Sequence, residues 1–375
     1  MSYHPSYWER SVLLKPFDFI VLGAGIIGKQ IAIKIKLKNP SARIALVDKY
    51  PISYGASTRN AGFACFGSIS EILDDFSRSS EDQVIALAEK RYRGINQLVK
   101  EFGASAIGYR PTGSHEIFDH TQTEAKVEAM DALDRINGLM KEATGLTSIF
   151  KRATNSTFQF NALSDSIHNQ YEGMLNSGLL NATVADKAHS MGIIPLYGFD
   201  VKSFEKISSG YRLYSAEGMT LDTNQLIIAN NAFAGQLIPN IDVVPARGQI
   251  IVTHPIENLS FDGIFFSDKG YVYFRNIDDR VLIGGGRNHF YKEEETFDFE
   301  GSNQVKSYLE NYLKTIVLPD QPFEIDMHWS GIMAMGAEKL PIVKRLDNHL
   351  LLCVRMSGMG VALGPVLSDE IAAMV

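Results

Sequence analysis

Two cysteines, Cys65 and Cys353, are all that the 375 residues contain, and they stand far apart in the chain. That scarcity excludes a disulfide framework and a zinc ribbon, and it fits a reducing compartment. The nine histidines never recur at metal-ligand spacing, so no metal centre is expected. No apolar stretch approaches the roughly 18 residues that a membrane-spanning helix needs. The first sixteen residues carry Glu9 and several aromatics, not the basic start, apolar core and small-residue cleavage site of a signal peptide. Basic charge is in deficit: 36 Lys and Arg face 43 Asp and Glu, for a formal net charge of −7. The basic residues are scattered, so no nucleic-acid partner is expected. Internal repeats, low-complexity tracts and a Pro/Gly-rich linker are also missing. A soluble, cytoplasmic protein is the expectation. At 45% hydrophobic residues the chain can bury a sizeable core. Two lobes are expected, with the chain crossing between them several times.

What is present begins with Gly23-Ala-Gly25-Ile26-Ile27-Gly28, which follows the apolar run Phe17–Leu22. A second apolar run ends at Asp48, twenty residues after the last glycine. The order strand, tight turn, helix, strand, acid is the context that a dinucleotide requires. Gly23 permits the sharp turn, Gly25 lets the backbone approach a pyrophosphate, and Gly28 lets helix and strand press together. The helix start offers unpaired N–H groups and a positive dipole end to phosphates. Asp48 can accept the ribose hydroxyls, and no arginine follows it directly to meet a 2′-phosphate.

Further along, residues 1–16 read as an arm or surface strand, and a helix runs from about Ile26 to Lys38. The segment Gly55-Ala-Ser-Thr-Arg-Asn-Ala-Gly62 is rich in small and hydrogen-bonding residues, as a second phosphate-contacting loop would be. Helical periodicity marks 81–102 and 122–142, with strands between Tyr109 and Phe118. A helix over 170–190 contains Gly173 and Gly178. Strands follow at 193–204, 211–217 and 225–230, and the chain is strand-rich from Val244 to Arg287. There Asp278-Asp279-Arg280 turns a hairpin. A helix at 301–314, a strand over 349–354, a glycine-rich turn and a helix from about Pro365 complete the chain. The reading is α/β: a Rossmann-like nucleotide domain interrupted by a second domain on a mostly antiparallel sheet.

Several blocks taken together resemble the FAD-dependent oxidoreductases that include D-amino-acid, glycine and sarcosine oxidases. They are Gly23–Asp48, Ala56–Gly62, Pro245–Gln249, Tyr271–Gly286, Trp329-Ser-Gly331-Ile332 and Ser357–Val361. The resemblance covers nearly the whole chain and favours FAD over NAD. It implies a discontinuous FAD-binding domain over 1–80, 150–230 and 325–375, and a substrate domain over 81–149 and 231–324. By position it gives Gly23, Gly25, Ile26, Ile27 and Gly28 the pyrophosphate, and sets Asp48 and Lys49 beside the adenosine ribose. Ser57, Arg59, Asn60 and Ala61 match the loop under the diphosphate and flavin. Val201 matches the strand residue whose backbone meets adenine, and Ala229 the small residue closing over the nucleotide. Gly331 lies in a flavin-side segment. Ser357, Gly358, Gly360 and Val361 lie where the family turns backbone N–H groups toward the flavin N1/C2 edge, where reduced flavin carries negative charge.

The departures from the family are as informative. Its amino-acid oxidases carry a carboxylate-clamping arginine where this chain has Met333. No cysteine occurs between 254 and 352, where relatives attach flavin, so FAD is expected to be non-covalent. Leu282 and Ile283 stand where relatives place an oxygen-activating lysine. Tyr271 matches a substrate-facing tyrosine, and either Arg287 or Arg355 could replace the missing clamp. Arg247 reads as a structural residue tying the domains together, and Cys65 as a buried thiol. No catalytic acid or base is identified. The implied activity is oxidation of a C–N bond in a small amine or N-substituted amino acid, with oxygen or another electron acceptor. An electron-transferring dehydrogenase of hydroxy or amino acids, and a binding protein with structural FAD, remain as alternatives.

Overall fold

Strands buried on both faces have no polar side to show, and the runs Phe17–Leu22, Ile44–Asp48 and Leu350–Val354 accordingly read as nearly unbroken apolar sequence. In the computed structural model, which describes residues 4–375, Phe17–Leu22 lies between Thr220–Ile228 and Ile44–Asp48, parallel to both. Ile194–Tyr197 extends the sheet in parallel beyond Ile44–Asp48, and Leu350–Val354 beyond Thr220–Ile228. Antiparallel additions finish it: Ile342–Asp347 at one edge, and Val201–Ile207 with Gly210–Ser215 beside Thr220–Ile228. The helix Ile26–Lys38 follows the first strand. It packs closely on the last helix, Gly360–Ala373, because Gly364 has no side chain: a Cβ there would come within 2.7 Å of Gln30 Nε2.

These elements form one compact unit of residues 1–58, 178–245 and 333–375. A second unit comprises 59–177 and 246–332, so the chain passes between units after residues 58, 177, 245 and 332. The expected several crossings are therefore observed. The second unit holds a mostly antiparallel sheet in which the hairpin Val272–Ile277/Arg280–Gly285 is central. Its core is aromatic, with Phe265 and Phe274 stacked at 4.9 Å and Phe160 and Phe261 edge-on to both. Helices Glu81–Phe102 and Thr123–Thr144 stand where periodicity set them.

The structure corrects several expectations. Residues 59–80, 150–177 and 325–332 belong to the second unit, and 231–245 to the first. The reason is strand pairing. Phe63–Ala64 pairs with Gly173–Met174, and Phe150–Thr154 and Asp165–Asn169 add to the sheet at Ser114–Glu116. Pairing at Gly173–Met174 also delays the next helix, which begins at Ser177 instead of near 170. Between Tyr109 and Phe118 only Ser114–Glu116 is a strand. The last helix starts at Gly360 and carries Pro365 inside it. Of the expected arm, residues 1–3 lie outside the described residues, and 9–13 form a π-helix where a strand had been one option.

Candidate dinucleotide and substrate sites

The turn after Phe17–Leu22 needs its glycines for measurable reasons. Gly23 has φ +108°, and a Cβ there would lie 2.6 Å from the Ala229 carbonyl oxygen. A Cβ on Gly28 would lie 1.9 Å from the Gly23 carbonyl oxygen, and one on Gly25 would lie 2.8 Å from Ser57 Oγ. Ser57 Oγ accepts the Ile26 N–H at 2.7 Å, and Asp48 accepts the N–H groups of Ala24 (2.8 Å) and Tyr50 (3.1 Å). Among the described residues no acceptor takes the N–H groups of Gly25, Ile27 or Gly28. A helix start with open donors, a carboxylate at the end of the second strand and a backbone too close for side chains fits an ADP-containing dinucleotide such as FAD. Ala229 completes the turn, its N–H donating to Leu22 at 2.8 Å. Val201 is a buried strand residue in the same unit, and Lys49 stacks its ammonium on Phe233 at 4.1 Å.

One charged group here carried a signal that the glycine pattern overshadowed. Lys29, directly after the third glycine, is buried, and its ammonium donates to Ser53 Oγ at 2.7 Å and to Asn181 Oδ1. Burial pulls its pKa down to about 8, with Asp48 opposing the drop. Burial in turn pushes the Asp48 carboxyl up, while the Tyr50 and Ala24 N–H groups and the two lysines resist. Ser53 donates onward to the Ala24 carbonyl at 2.8 Å. Lys29 therefore ties the loop after Asp48 to the glycine turn.

At the other end of the same unit, Ser357 (φ 47°) and Gly358 (φ 83°) form a left-handed turn that opens the helix at Gly360. Ser357 Oγ is covered yet finds no partner among the described residues, and Val361 is buried. Met333 is half-buried, its sulfur 3.5 Å from where a Gly358 Cβ would stand. Arg355 does not stand free as a clamp. Its Nε donates to the Leu340 carbonyl at 2.8 Å and its Nη1 pairs with Asp242, so this guanidinium is already engaged.

In the second unit, Arg59 donates to the Ser330 carbonyl, and its own carbonyl accepts Trp329 Nε1 at 3.1 Å. Asn60 Oδ1 accepts from Gly62 N–H and Ser177 Oγ, at 2.9 and 2.7 Å. Ala61 packs with Ile250, Val252 and Leu282, and Gly331 is buried in the strand Ile325–Met335. Arg275, which no motif singled out, donates to the carbonyls of Gly62 (2.7 Å) and Leu175 (2.9 Å), and burial lowers its pKa to about 10. Arg247 makes a two-bond pair with Glu294 inside this unit. Its role is structural, but it ties the unit to itself instead of joining the domains. Cys65 is a buried free thiol whose pKa burial raises further.

Buried acids gather behind the loop that follows Asn60. Glu172 accepts the N–H groups of Phe66 (2.7 Å) and Gly67 (3.1 Å), and burial pushes its pKa up to about 7. Glu116 accepts the Ile69 and Ser70 N–H groups, each at 3.1 Å, and Glu71 pairs with buried Arg91 at 3.3 Å. Tyr271 sits just before its strand, and Arg287 just after the hairpin's second strand. Arg287 lies over the Tyr291 ring at 4.6 Å, and no carboxylate among the described residues pairs with it. Among the described residues no group of His, Cys, Asp and Glu is arranged to hold a metal ion, and no helix is long and apolar enough to cross a membrane.

Comparisons with known proteins agree with this arrangement. Glycine oxidase of Bacillus licheniformis is 21% identical over 372 residues, covering 96% of this chain and 93% of its own length. An Escherichia coli L-2-hydroxyglutarate dehydrogenase is 22% identical over 331 residues, covering 80% of this chain and 73% of the relative. Among solved structures, glycine oxidase from Geobacillus kaustophilus superposes with a TM-score of 0.77 at 22% identity, over 96% of this chain and 94% of that one. The family model for FAD dependent oxidoreductases (DAO) matches residues 18–374, so the chain belongs to that family and is an FAD-dependent enzyme.

Proposed function

We propose that the protein oxidises the C–N bond of a small amine or N-substituted amino acid, using FAD held without a covalent link. The turn at Ser357–Gly360 carries this reading. It opens a helix whose N-terminal dipole and backbone N–H groups suit the negative charge of a reduced flavin edge, a feature that a purely structural nucleotide would not call for. When bound, the flavin supplies a two-electron acceptor, and the oxidised substrate leaves as an imine that water hydrolyses. The chain's own residues bind and orient. Gly23, Gly25, Ile27 and Gly28 present backbone to the pyrophosphate, Asp48 takes the ribose hydroxyls, and Ser57 fixes the helix start. Lys49, Val201, Ala229, Arg59, Asn60, Ala61 and Gly331 keep the cofactor roles that their family positions imply. Both cysteines are buried and neither lies where relatives attach flavin, which supports non-covalent binding. With Arg355 engaged by Asp242, Arg287 is the better placed anion clamp, and Tyr271 stands near it in sequence and fold. A substrate amine bound neutral needs no side-chain base, consistent with the lack of an identified one.

Leu282 and Ile283 are both buried in the hairpin, where oxygen-activating relatives carry lysine. This supports an electron acceptor other than oxygen. The test is anaerobic addition of a panel of primary, secondary and N-substituted amines, with the flavin visible band monitored. Bleaching by one or more amines supports the reading. Bleaching by 2-hydroxy acids alone would favour the hydroxy-acid dehydrogenase that one relative's name suggests, and bleaching by neither would favour structural FAD.

A further inference from the structure

The Lys29 ammonium begins a chain of hydrogen bonds that reaches the glycine turn. Lys29 lies one place after Gly28, is 3% exposed, and donates to Ser53 Oγ at 2.7 Å and to Asn181 Oδ1. An ammonium offers only hydrogens, so the Ser53 hydroxyl accepts from it and is left to donate elsewhere. It donates to the Ala24 carbonyl at 2.8 Å. That carbonyl belongs to the peptide joining Ala24 to Gly25. The preceding peptide, between Gly23 and Ala24, is held by its N–H, which donates to Asp48 at 2.8 Å. Lys29 and Asp48 thus fix two successive peptides of the turn, one through its oxygen and the other through its hydrogen.

At the far end of the Ala24–Gly25 peptide stands the Gly25 N–H. In a trans peptide the C=O and N–H point in opposite directions, so pinning the oxygen aims the hydrogen. Gly25 is extended, at φ −72° and ψ −174°, and its N–H has no acceptor among the described residues. Hydrogen bonds joined in a chain also polarise one another. Positive charge at Lys29, passed through the Ser53 hydroxyl to the Ala24 oxygen, makes the Gly25 N–H a stronger donor. A neutral Lys29 amine would do the reverse. Its nitrogen gains a lone pair that competes for the Ser53 hydrogen and frees the Ala24 carbonyl. The charged group that faces Lys29 is Asp48, at the end of strand Ile44–Asp48, and it favours the ammonium. Lys49 and Tyr197 face Asp48 in turn, and helix Ser177–Ser190 contributes the uncharged Asn181.

We infer that Lys29 is a positioning residue for the cofactor: through Ser53, its ammonium sets the Gly25 N–H as a donor to the FAD pyrophosphate. The inference concerns the cofactor alone and stands whichever substrate is oxidised. It has a signature in pH whose sign is opposite to that of a merely structural role. Burial lowers the Lys29 pKa from 10.5 to about 8 in the folded chain. Between those values the unfolded chain binds the extra proton, so this lysine makes the fold more stable as pH rises. A bound pyrophosphate, being anionic, favours the ammonium and raises the same pKa again. FAD affinity therefore falls over the window in which Lys29 adds to the stability of the fold.

The test is the dissociation constant of FAD, read from the free flavin that passes an ultrafiltration membrane over a dilution series of the holoprotein at pH 7 and at pH 9.5. The wild type is expected to hold FAD about tenfold more weakly at the higher pH. Lys29→Met and Ser53→Ala are each expected to bind FAD at pH 7 about as weakly as the wild type does at pH 9.5, and to show no further change with pH. Ser53→Ala takes one oxygen from a half-buried loop residue and leaves Lys29 in place, so it decides the matter if Lys29→Met does not fold. A wild-type affinity that is flat or rises with pH overturns the inference. So does either variant that keeps the wild-type affinity at pH 7 or the wild-type dependence on pH.

Discussion

Replacing Glu172 with glutamine should remove a pH-dependent loss of stability, so that the variant gains on the wild type as pH rises through about 7. The carboxyl is completely buried, its Oε1 accepts two backbone N–H groups, and its Oε2 has no partner among the described residues. Burial is the main cause that raises its pKa from 4.5 to about 7, with Glu71 adding repulsion. Between those values the folded protein keeps a proton that the unfolded chain has released. Stability is therefore full below pH 4.5 and is lost as pH rises through about 7. At ~1.4 kcal/mol per pH unit, the whole window amounts to ~3 kcal/mol. Glutamine resembles the protonated acid and cannot ionise, so Glu172→Gln removes this loss. Any cost of placing an amide NH₂ beside the buried Ser114 hydroxyl is the same at every pH and cancels in the comparison. Unfolding of both proteins by urea, followed by circular dichroism from pH 5 to pH 8.5, gives the measurement. The stability of the variant minus that of the wild type should climb by about 2–3 kcal/mol over this range. A difference that stays flat with pH would show that Glu172 is ionised throughout and that the burial argument is wrong.

Three further outcomes are expected. Asp48→Ala should weaken FAD retention by about 1.5–3 kcal/mol per lost charge-assisted hydrogen bond, read as FAD remaining after dialysis; unchanged retention would make Asp48 only a strand-end residue. Acid precipitation should release the yellow cofactor into the supernatant, and flavin remaining with the pellet would contradict non-covalent binding. With a reducing amine present, turnover with an artificial dye acceptor should exceed turnover with oxygen; faster oxygen turnover would show that Leu282 and Ile283 do not limit that reaction.

Legibility in the sequence followed how locally each feature is encoded. The glycine turn, Asp48, the helix Ile26–Lys38 and the hairpin at Asp278–Asp279 depend on neighbours within a few dozen residues, and each stands where the pattern set it. The limits of the two units are not legible in the same way, because Phe63–Ala64 finds its partner at Gly173–Met174, more than a hundred residues away, and two-residue strands leave no periodic trace. Gly360 and Pro365 misled in a different way, since a proline reads as a start signal while the glycine that actually opens the helix reads as loop. Lys29 was visible, a charge at a position that faces the interior, but without the fold nothing named Ser53 and Asn181 as its partners.

The strand order of the parallel sheet has a consequence for how the chain is made. Thr220–Ile228 has Phe17–Leu22 on one side and Leu350–Val354 on the other, so the middle of the nucleotide unit waits for a strand synthesised after the whole second unit. A nascent chain halted at residue 332 would hold every residue of the second unit and lack the final strand and helix of the first. Residues 59–177 and 246–332 can thus gather during translation, whereas the nucleotide unit closes only after 350–354 has emerged. Such long-range pairing is slow and leaves strand edges open in the interval. FAD, which needs the completed unit, should then act late in biogenesis, as the ligand that draws an assembled but uncommitted sheet into its final state.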